Sequence, residues 1–244
     1  MYYKFTPYSV SKIECFEQCP MKFKFIYIDK IKVKSKQYHL QKGKTWHKLI
    51  ELKLFNKIKE YKNHNYLEYT IKEFYKDLPK IKKLFKSDNF KYFYNYKNII
   101  CEQYFVIDKD LNCYFTDIPK ENILLKGYID YIGYNDNKLD IIDWKTGGKS
   151  KESILKYPKS FFQLNIYQYV CSKIFNNKNI KSGYFYIEHD LLVKNENFNL
   201  NITEESFLDK IDKIENAKFF NKNESALCYW CDYRTICEVT KDEI

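Results

Sequence analysis

The sequence predicts an α/β fold, a sheet of short strands flanked by helices, and three observations carry that expectation. Between residues 99 and 144 the apolar residues gather in short β-branched and aromatic runs separated by Asn, Asp and Gly, the pattern of successive strands. Before and after that region, apolar residues recur at helical spacing. Cysteines stand at both ends of the chain, Cys19 near the start and Cys228, Cys231 and Cys237 near the finish, so one centre can tie the two ends together.

Taken in order, Ser11-Lys12-Ile13-Glu14 has the form of a capping box and predicts a short helix from there to Cys19, stopped by Pro20. Met21 to Ile31 alternates lysine with aromatics and Ile, and is read as a further helical segment. From about Leu40 to Lys62, Trp46, Leu49, Ile50, Leu54 and Ile58 recur at helical spacing, with His47 near the start of that helix. Residues 65–98 are rich in lysine and aromatics, broken once by Pro79, and read as a helical lobe before the sheet. Strands are expected at Ile99 to Ile107, Leu124 to Tyr134 and Leu139 to Trp144, the last two joined by a turn at Asn135-Asp136-Asn137-Lys138. A helix from Ser160 to Phe175, a strand from Gly183 to Glu188 and a helix from Thr203 to Phe219 complete the expectation. The chain is thus read as one domain over residues 1–244: an N-terminal segment 9–39, a helical lobe 40–98, a core 99–200 and a C-terminal segment 201–244.

With 244 residues, 45% hydrophobic and 30% charged, the chain can bury a sizeable core, and disorder is not indicated. The net charge of +10 points to an acidic partner, most often nucleic acid. Lysine supplies nearly all of it, with Arg234 the only arginine, so part of the basicity reflects the amino-acid usage of an AT-rich genome. Met1 to Pro7 lacks the features of a signal peptide, and no stretch approaches the roughly 20 apolar residues of a membrane span, so the expected location is cytoplasmic, without a membrane partner. Eight cysteines in a reducing compartment argue against a disulfide framework. Cys101, Cys113 and Cys171 stand singly in apolar runs and read as buried thiols.

The C-terminal cysteines follow C-x2-C-x5-C, which brings three thiolates within reach of one soft metal centre. Cys19 is the best fourth ligand, with Cys15 the weaker choice, and the chemistry of four thiolates leaves zinc and a [4Fe-4S] cluster both open. A second constellation lies on the expected strands. Asp130 closes one strand, and Asp143 and Lys145 close the next, where alternation puts them on one face. Two carboxylates converging on one point require a cation between them, and hard oxygen ligands beside a lysine suit Mg2+ or Mn2+. Such an ion polarises a phosphodiester oxygen and lowers the pKa of bound water. Glu102, on the preceding strand, is a candidate further metal-coordinating or supporting carboxylate, but is read as an ordinary exposed strand glutamate.

Gly127-Tyr128-Ile129-Asp130 followed by Asp143-Trp144-Lys145-Thr146-Gly147 resembles the active-site signature of the PD-(D/E)xK nuclease superfamily, in its RecB-like branch. Gly43-Lys44-Thr45-Trp46-His47 is similar to that branch's G-x3-H motif, and Gln163-Leu164-Asn165-Ile166-Tyr167 to its Q-x3-Y motif. The terminal cysteines resemble the iron-sulfur variety found in AddB-type helicase-nucleases and CRISPR adaptation nucleases. The proline of the superfamily's name is absent, Ile129 standing before Asp130. The resemblance implies a restriction-endonuclease-like core with a central mixed sheet flanked by helices. It also implies a metal held by His47, Asp130, Asp143 and the carbonyl of Trp144, with Lys145 orienting water and Gln163 and Tyr167 contacting DNA. Cys19, Cys228, Cys231 and Cys237 would hold a structural [4Fe-4S] cluster, a clasp between the ends. The implied activity is exonuclease cleavage of single-stranded or frayed DNA ends, with a helicase, recombination or CRISPR protein as partner. The alternative is an inactive nuclease fold serving as a nucleic-acid-binding or assembly protein.

Overall fold

The computed structural model describes residues 3–33, 38–55, 71–147, 150–157, 159–176 and 179–237. Its six strands are β1 (Asn98–Asp108), β2 (Cys113–Tyr114), β3 (Ile123–Tyr134), β4 (Lys138–Lys145), β5 (Asn179–Tyr186) and β6 (Leu191–Asn195). They form one mixed sheet in the order β2-β1-β3-β4-β5-β6, with β4 and β5 parallel and the β3–β4 and β5–β6 pairs antiparallel. The expected turn joins β3 to β4, the Asn135 N–H donating to the Lys138 carbonyl at 2.9 Å. The chain divides into two compact units, one made of residues 37–105 and 128–200, the other of residues 1–36, 106–127 and 201–244.

In the unit of residues 37–105 and 128–200, α3 (Tyr38–Leu54) and α4 (Ile71–Leu84) precede the sheet, followed by the short α5 (Asp88–Lys91), which Ser87 caps by accepting from the Phe90 N–H. The expected extension of α3 to Lys62, Ile58 included, and the first part of the expected lobe lie outside the described residues. Pro79 does not break its segment; α4 runs through it. An interior proline costs about 3 kcal/mol, and the burial of Ile81 and Leu84 in the aromatic core opposes that loss. That core is a single cluster: Trp46, Leu49 and Ile50 from α3, Phe90 and Phe93, and Tyr131, Ile142, Trp144 and Phe185 from the strands. Phe93 meets Trp144, Phe185 and Tyr131 edge-on, with ring centroids 5.0–5.5 Å apart, the arrangement aromatic quadrupoles favour. Gly133 is required here, because a Cβ would lie 2.7 Å from the Tyr96 ring.

Strand β4 is buried along its interior, as a central strand must be, and its alternation assigns the faces. Ile142 and Trp144 enter the aromatic cluster, so Asp143 and Lys145 point to the opposite face. There α7 (Phe162–Ile174), close to its expected span, packs on β4 and β5. The short α6 (Lys151–Lys156), β2 and β6 lack the long apolar periods that reveal an element in sequence.

In the other unit, α1 spans Val10–Gln18. The expected box does not form: Ser9, not Ser11, is the N-cap and accepts from the Lys12 N–H at 3.2 Å, two residues earlier than the Ser11/Glu14 spacing implies. Pro20 begins α2 (Pro20–Phe23), where its missing N–H costs nothing, and a π-helical turn carries on to Ile28. The last helix, α8 (Leu200–Glu215), starts and ends earlier than expected, burying Thr203, Phe207, Ile211 and Ile214 at helical spacing. Its final residue, Glu215, accepts from the Lys4 and Phe5 amides and the Tyr8 hydroxyl, which holds the N-terminal segment in place.

Candidate active site

Helix α3 and strands β3 and β4 bring His47, Asp130, Asp143, Trp144 and Lys145 together. Asp130 stands one residue beyond the last paired rung of β3 and β4, Tyr131 with Ile142, and so lies beside Asp143. Its Oδ2 accepts from the Trp144 N–H at 2.8 Å. Gly43 sits beside Thr146, where a Cβ would be 3.6 Å from Oγ1, and one turn further along α3 His47 reaches the same strand end. His47 Nε2 lies 3.0 Å from the Trp144 carbonyl, and Nδ1 lies 3.6 Å from both Asp130 Oδ1 and Glu102 Oε1.

Glu102 is therefore more than the ordinary strand glutamate expected of it. His47, Glu102 and Asp130 each present a ligand atom within 4.8 Å of the others, the one such trio of His, Cys, Asp or Glu among the described residues. The backbone at Glu102 has φ of 51°, left-handed inside a strand, which costs a non-glycine residue on the order of 1–3 kcal/mol. Nothing in the local sequence signals this; only the strand's departure from regular geometry turns Glu102 toward His47.

The electrostatics follow from burial. The Asp130 side chain is 12% exposed; burial, then the adjacent Asp143 carboxylate, push its pKa up to about 7. For His47, burial opposes the imidazolium, but Glu102, Asp130 and Asp143 outweigh it and hold its pKa above the ordinary value. Asp143 is 2% exposed. Its Oδ2 has no hydrogen bond of good geometry, although Lys145 Nζ lies 2.5 Å away as an ion pair. A buried carboxylate beside a second carboxylate, an imidazole and a main-chain carbonyl fits a divalent cation by the chemistry of the donor set.

Lysine 145 is held from the α7 side. Its Nζ donates to Gln163 Oε1 at 3.0 Å, and Gln163 Nε2 donates to the Tyr167 hydroxyl at 2.7 Å, one helical turn on. The Q-x3-Y pair thus forms a relay whose amide oxygen is aimed at Lys145. Burial, then the charges of Asp143 and Asp130, raise the Tyr167 phenol well above its ordinary pKa, so it remains neutral. Two residues that the sequence reading passed over complete this side: Lys159 Nζ donates to the same Gln163 oxygen at 3.3 Å, and both lysines lie over the Tyr184 ring.

The superfamily profile for PD-(D/E)XK nucleases matches residues 7–238. The chain belongs to the PD-(D/E)XK nuclease superfamily. Nucleases of this superfamily use divalent metals, and the His47, Glu102 and Asp130 trio could hold one. No curated protein matches the chain significantly. Among solved structures, a "putative exonuclease" from Eubacterium rectale covers 97% of this chain and 90% of its own, at 12% identity and a TM-score of 0.59. At that identity it shares the fold. The crystal structure of SSO0001 covers 98% of this chain and 88% of its own, at 15% identity and a TM-score of 0.42.

In the unit holding both termini, Cys19, Cys228, Cys231 and Cys237 line one open cleft. Ser225 caps the short turn Ala226–Trp230, and successive amides bond back three residues, Cys228 to Ser225, Cys231 to Cys228 and Arg234 to Cys231, which folds the C-x2-C-x5-C stretch onto itself. The Ser225 N–H also donates to Cys228 Sγ at 3.5 Å. Burial, then Cys19, Cys231 and Cys228, raise the Cys237 thiol above its ordinary pKa. Cys15 does not line this cleft, and burial pushes its thiol up to about 11. Of the three isolated cysteines, Cys171 is buried as expected, whereas Cys101 and Cys113 are half-buried, because they stand where their strands lack full cover.

Proposed function

We propose that the protein is a Mg2+- or Mn2+-dependent deoxyribonuclease of the RecB-like kind, acting as an exonuclease on single-stranded or frayed DNA ends. The observation that carries the reading is the convergence of Asp130, Asp143, Lys145 and His47 at one strand end, with Asp143 buried and ion-paired to Lys145. In this reading Asp130, Asp143, His47 and the Trp144 carbonyl hold the ion, and Glu102 joins them. When bound, the ion supplies Lewis-acid polarisation of a phosphate oxygen and lowers the pKa of a coordinated water. The chain's own part is positional. His47, whose pKa the surrounding carboxylates raise against the effect of burial, must be neutral to become a ligand. Lys145, fixed by Gln163 and by the Tyr184 ring, presents its ammonium to the attacking water and to charge developing on the phosphate. Gln163 and Tyr167 act as positioning residues for that ammonium.

The cysteine cleft is read as a [4Fe-4S] clasp. A tetrahedral zinc site with Zn–S bonds of about 2.3 Å needs sulfurs about 3.8 Å apart. Four cysteines lining one cleft suit either centre, and the resemblance of the terminal cysteines to the iron-sulfur variety favours the cluster. Anaerobically purified protein is expected to be brown, with an absorption band near 400 nm.

The deciding experiment is cleavage of end-labelled single- and double-stranded DNA with Mn2+, Mg2+ or chelator, beside Asp143→Ala. Metal-dependent degradation that the variant lacks, with its fold intact by circular dichroism, is the expected result. Equal activity in the variant, or no cleavage by intact protein under any condition, would overturn the assignment.

A further inference from the structure

We propose that Tyr128, backed by Tyr104, is a stacking platform for the base of the nucleotide next to the scissile phosphate. This rests on the nuclease reading above and adds the feature that makes the site take an unpaired strand. Tyr128 lies two residues before Asp130 on β3, so on a regular strand the two share a face about 7 Å apart. Ile129 between them is fully buried on the other side, which fixes that alternation. Tyr128 is 56% exposed, a large ring left in water directly beside the carboxylates. Its neighbour is Tyr104, two residues beyond Glu102 on β1, with ring centroids 5.2 Å apart and planes tilted by 52°. Each strand that brings a carboxylate to the outer side of the site thus carries a tyrosine two residues away, and the two rings touch.

This arrangement suits a nucleobase better than packing within the protein. A tyrosine held by a second ring has few rotamers to lose on binding, and its outer face is open to a flat apolar partner. A separation of about 7 Å from the carboxylates is close to one nucleotide, so a phosphate at Asp130 and Asp143 brings the adjoining base over Tyr128. In an intact duplex that base is stacked and paired and has no free face, whereas in a single strand or a frayed end it has. Base–aromatic stacks are tolerant of sequence, so the platform selects strandedness rather than base identity.

The test uses the full chain carrying Asp143→Ala, which prevents degradation, and a fluorescein-labelled single-stranded oligonucleotide in Mg2+, read by anisotropy. An abasic site is moved along the oligonucleotide. The parent should lose about tenfold in affinity with the abasic site at one position, the scale of one lost stack. Tyr128→Ala should bind the intact oligonucleotide about tenfold more weakly and no longer distinguish that abasic position; Tyr128→Phe should behave as the parent. Binding by Tyr128→Ala within twofold of the parent would overturn the proposal. So would an abasic penalty that survives in Tyr128→Ala, since a purely structural role would weaken all positions alike. Failure of the otherwise unmodified protein to cleave or bind any DNA would instead sink the nuclease reading, and this proposal with it.

Discussion

Asp130→Asn should make the metal-free protein more stable at pH 8 while removing its response to metal. Asp130 has its pKa raised from 3.8 to about 7 in the fold. A carboxyl group so raised binds its proton more tightly folded than unfolded, so it favours folding least when ionised in both states. The cost to stability is absent below the unfolded pKa, grows as pH rises toward 7 and is complete above it. A difference of about 3 pH units corresponds to about 4 kcal/mol at 1.36 kcal/mol per unit. Asparagine keeps the bond accepted from the Trp144 N–H but still buries an amide, so roughly half of that, about 2 kcal/mol, is the expected gain. For a chain of this length it raises the Tm by about 4–8 °C. Thermal unfolding in chelator at pH 8 and at pH 4.5 reads it: a gain at the first, and at the second a loss of about 1 kcal/mol, because most of the carboxylate cost is gone while the buried amide remains. Added Mn2+ should stabilise the native protein and leave the variant unmoved. A variant less stable than the native protein at pH 8, or an offset independent of pH, would refute this account of the buried carboxylate.

Two further outcomes follow from the same geometry. Gln163→Leu removes the acceptor that fixes Lys145 without touching a carboxylate, and should lower kcat about 10- to 100-fold with KM nearly unchanged, the signature of lost positioning; steady-state cleavage in which KM alone rises would instead mark Gln163 as a direct DNA contact. Because the pKa values of Asp130 and His47 are both raised, protons compete with the metal. From Asp130 alone, the Mn2+ concentration for half-maximal cleavage should fall by up to about tenfold per pH unit below pH 7; a value that does not change with pH in that range would remove the proton competition.

The sequence by itself determined the superfamily signature and most of the scaffold. Apolar runs between 99 and 144 and the Asn135 turn are local signals, and they yielded strands within a residue or two of their bounds, with Asp143 and Lys145 on one face by alternation alone. Helical spacing located α3 and α7 for the same reason. What depended on neighbours was hidden. The start of α1 was misplaced because Ser9 and Ser11 are equally good caps in isolation, and packing around Val10 and Ile13 chooses between them. Pro79 was read as a break because its local cost is visible, while the compensating burial of Ile81 and Leu84 belongs to the assembled core. Glu102 was passed over because a left-handed residue inside a strand is stable only where surrounding structure holds it. Lys159 and Tyr184 were invisible for a related reason. Their part in holding Lys145 comes from α7 lying across β4 and β5, a contact among segments that only the folded chain brings together.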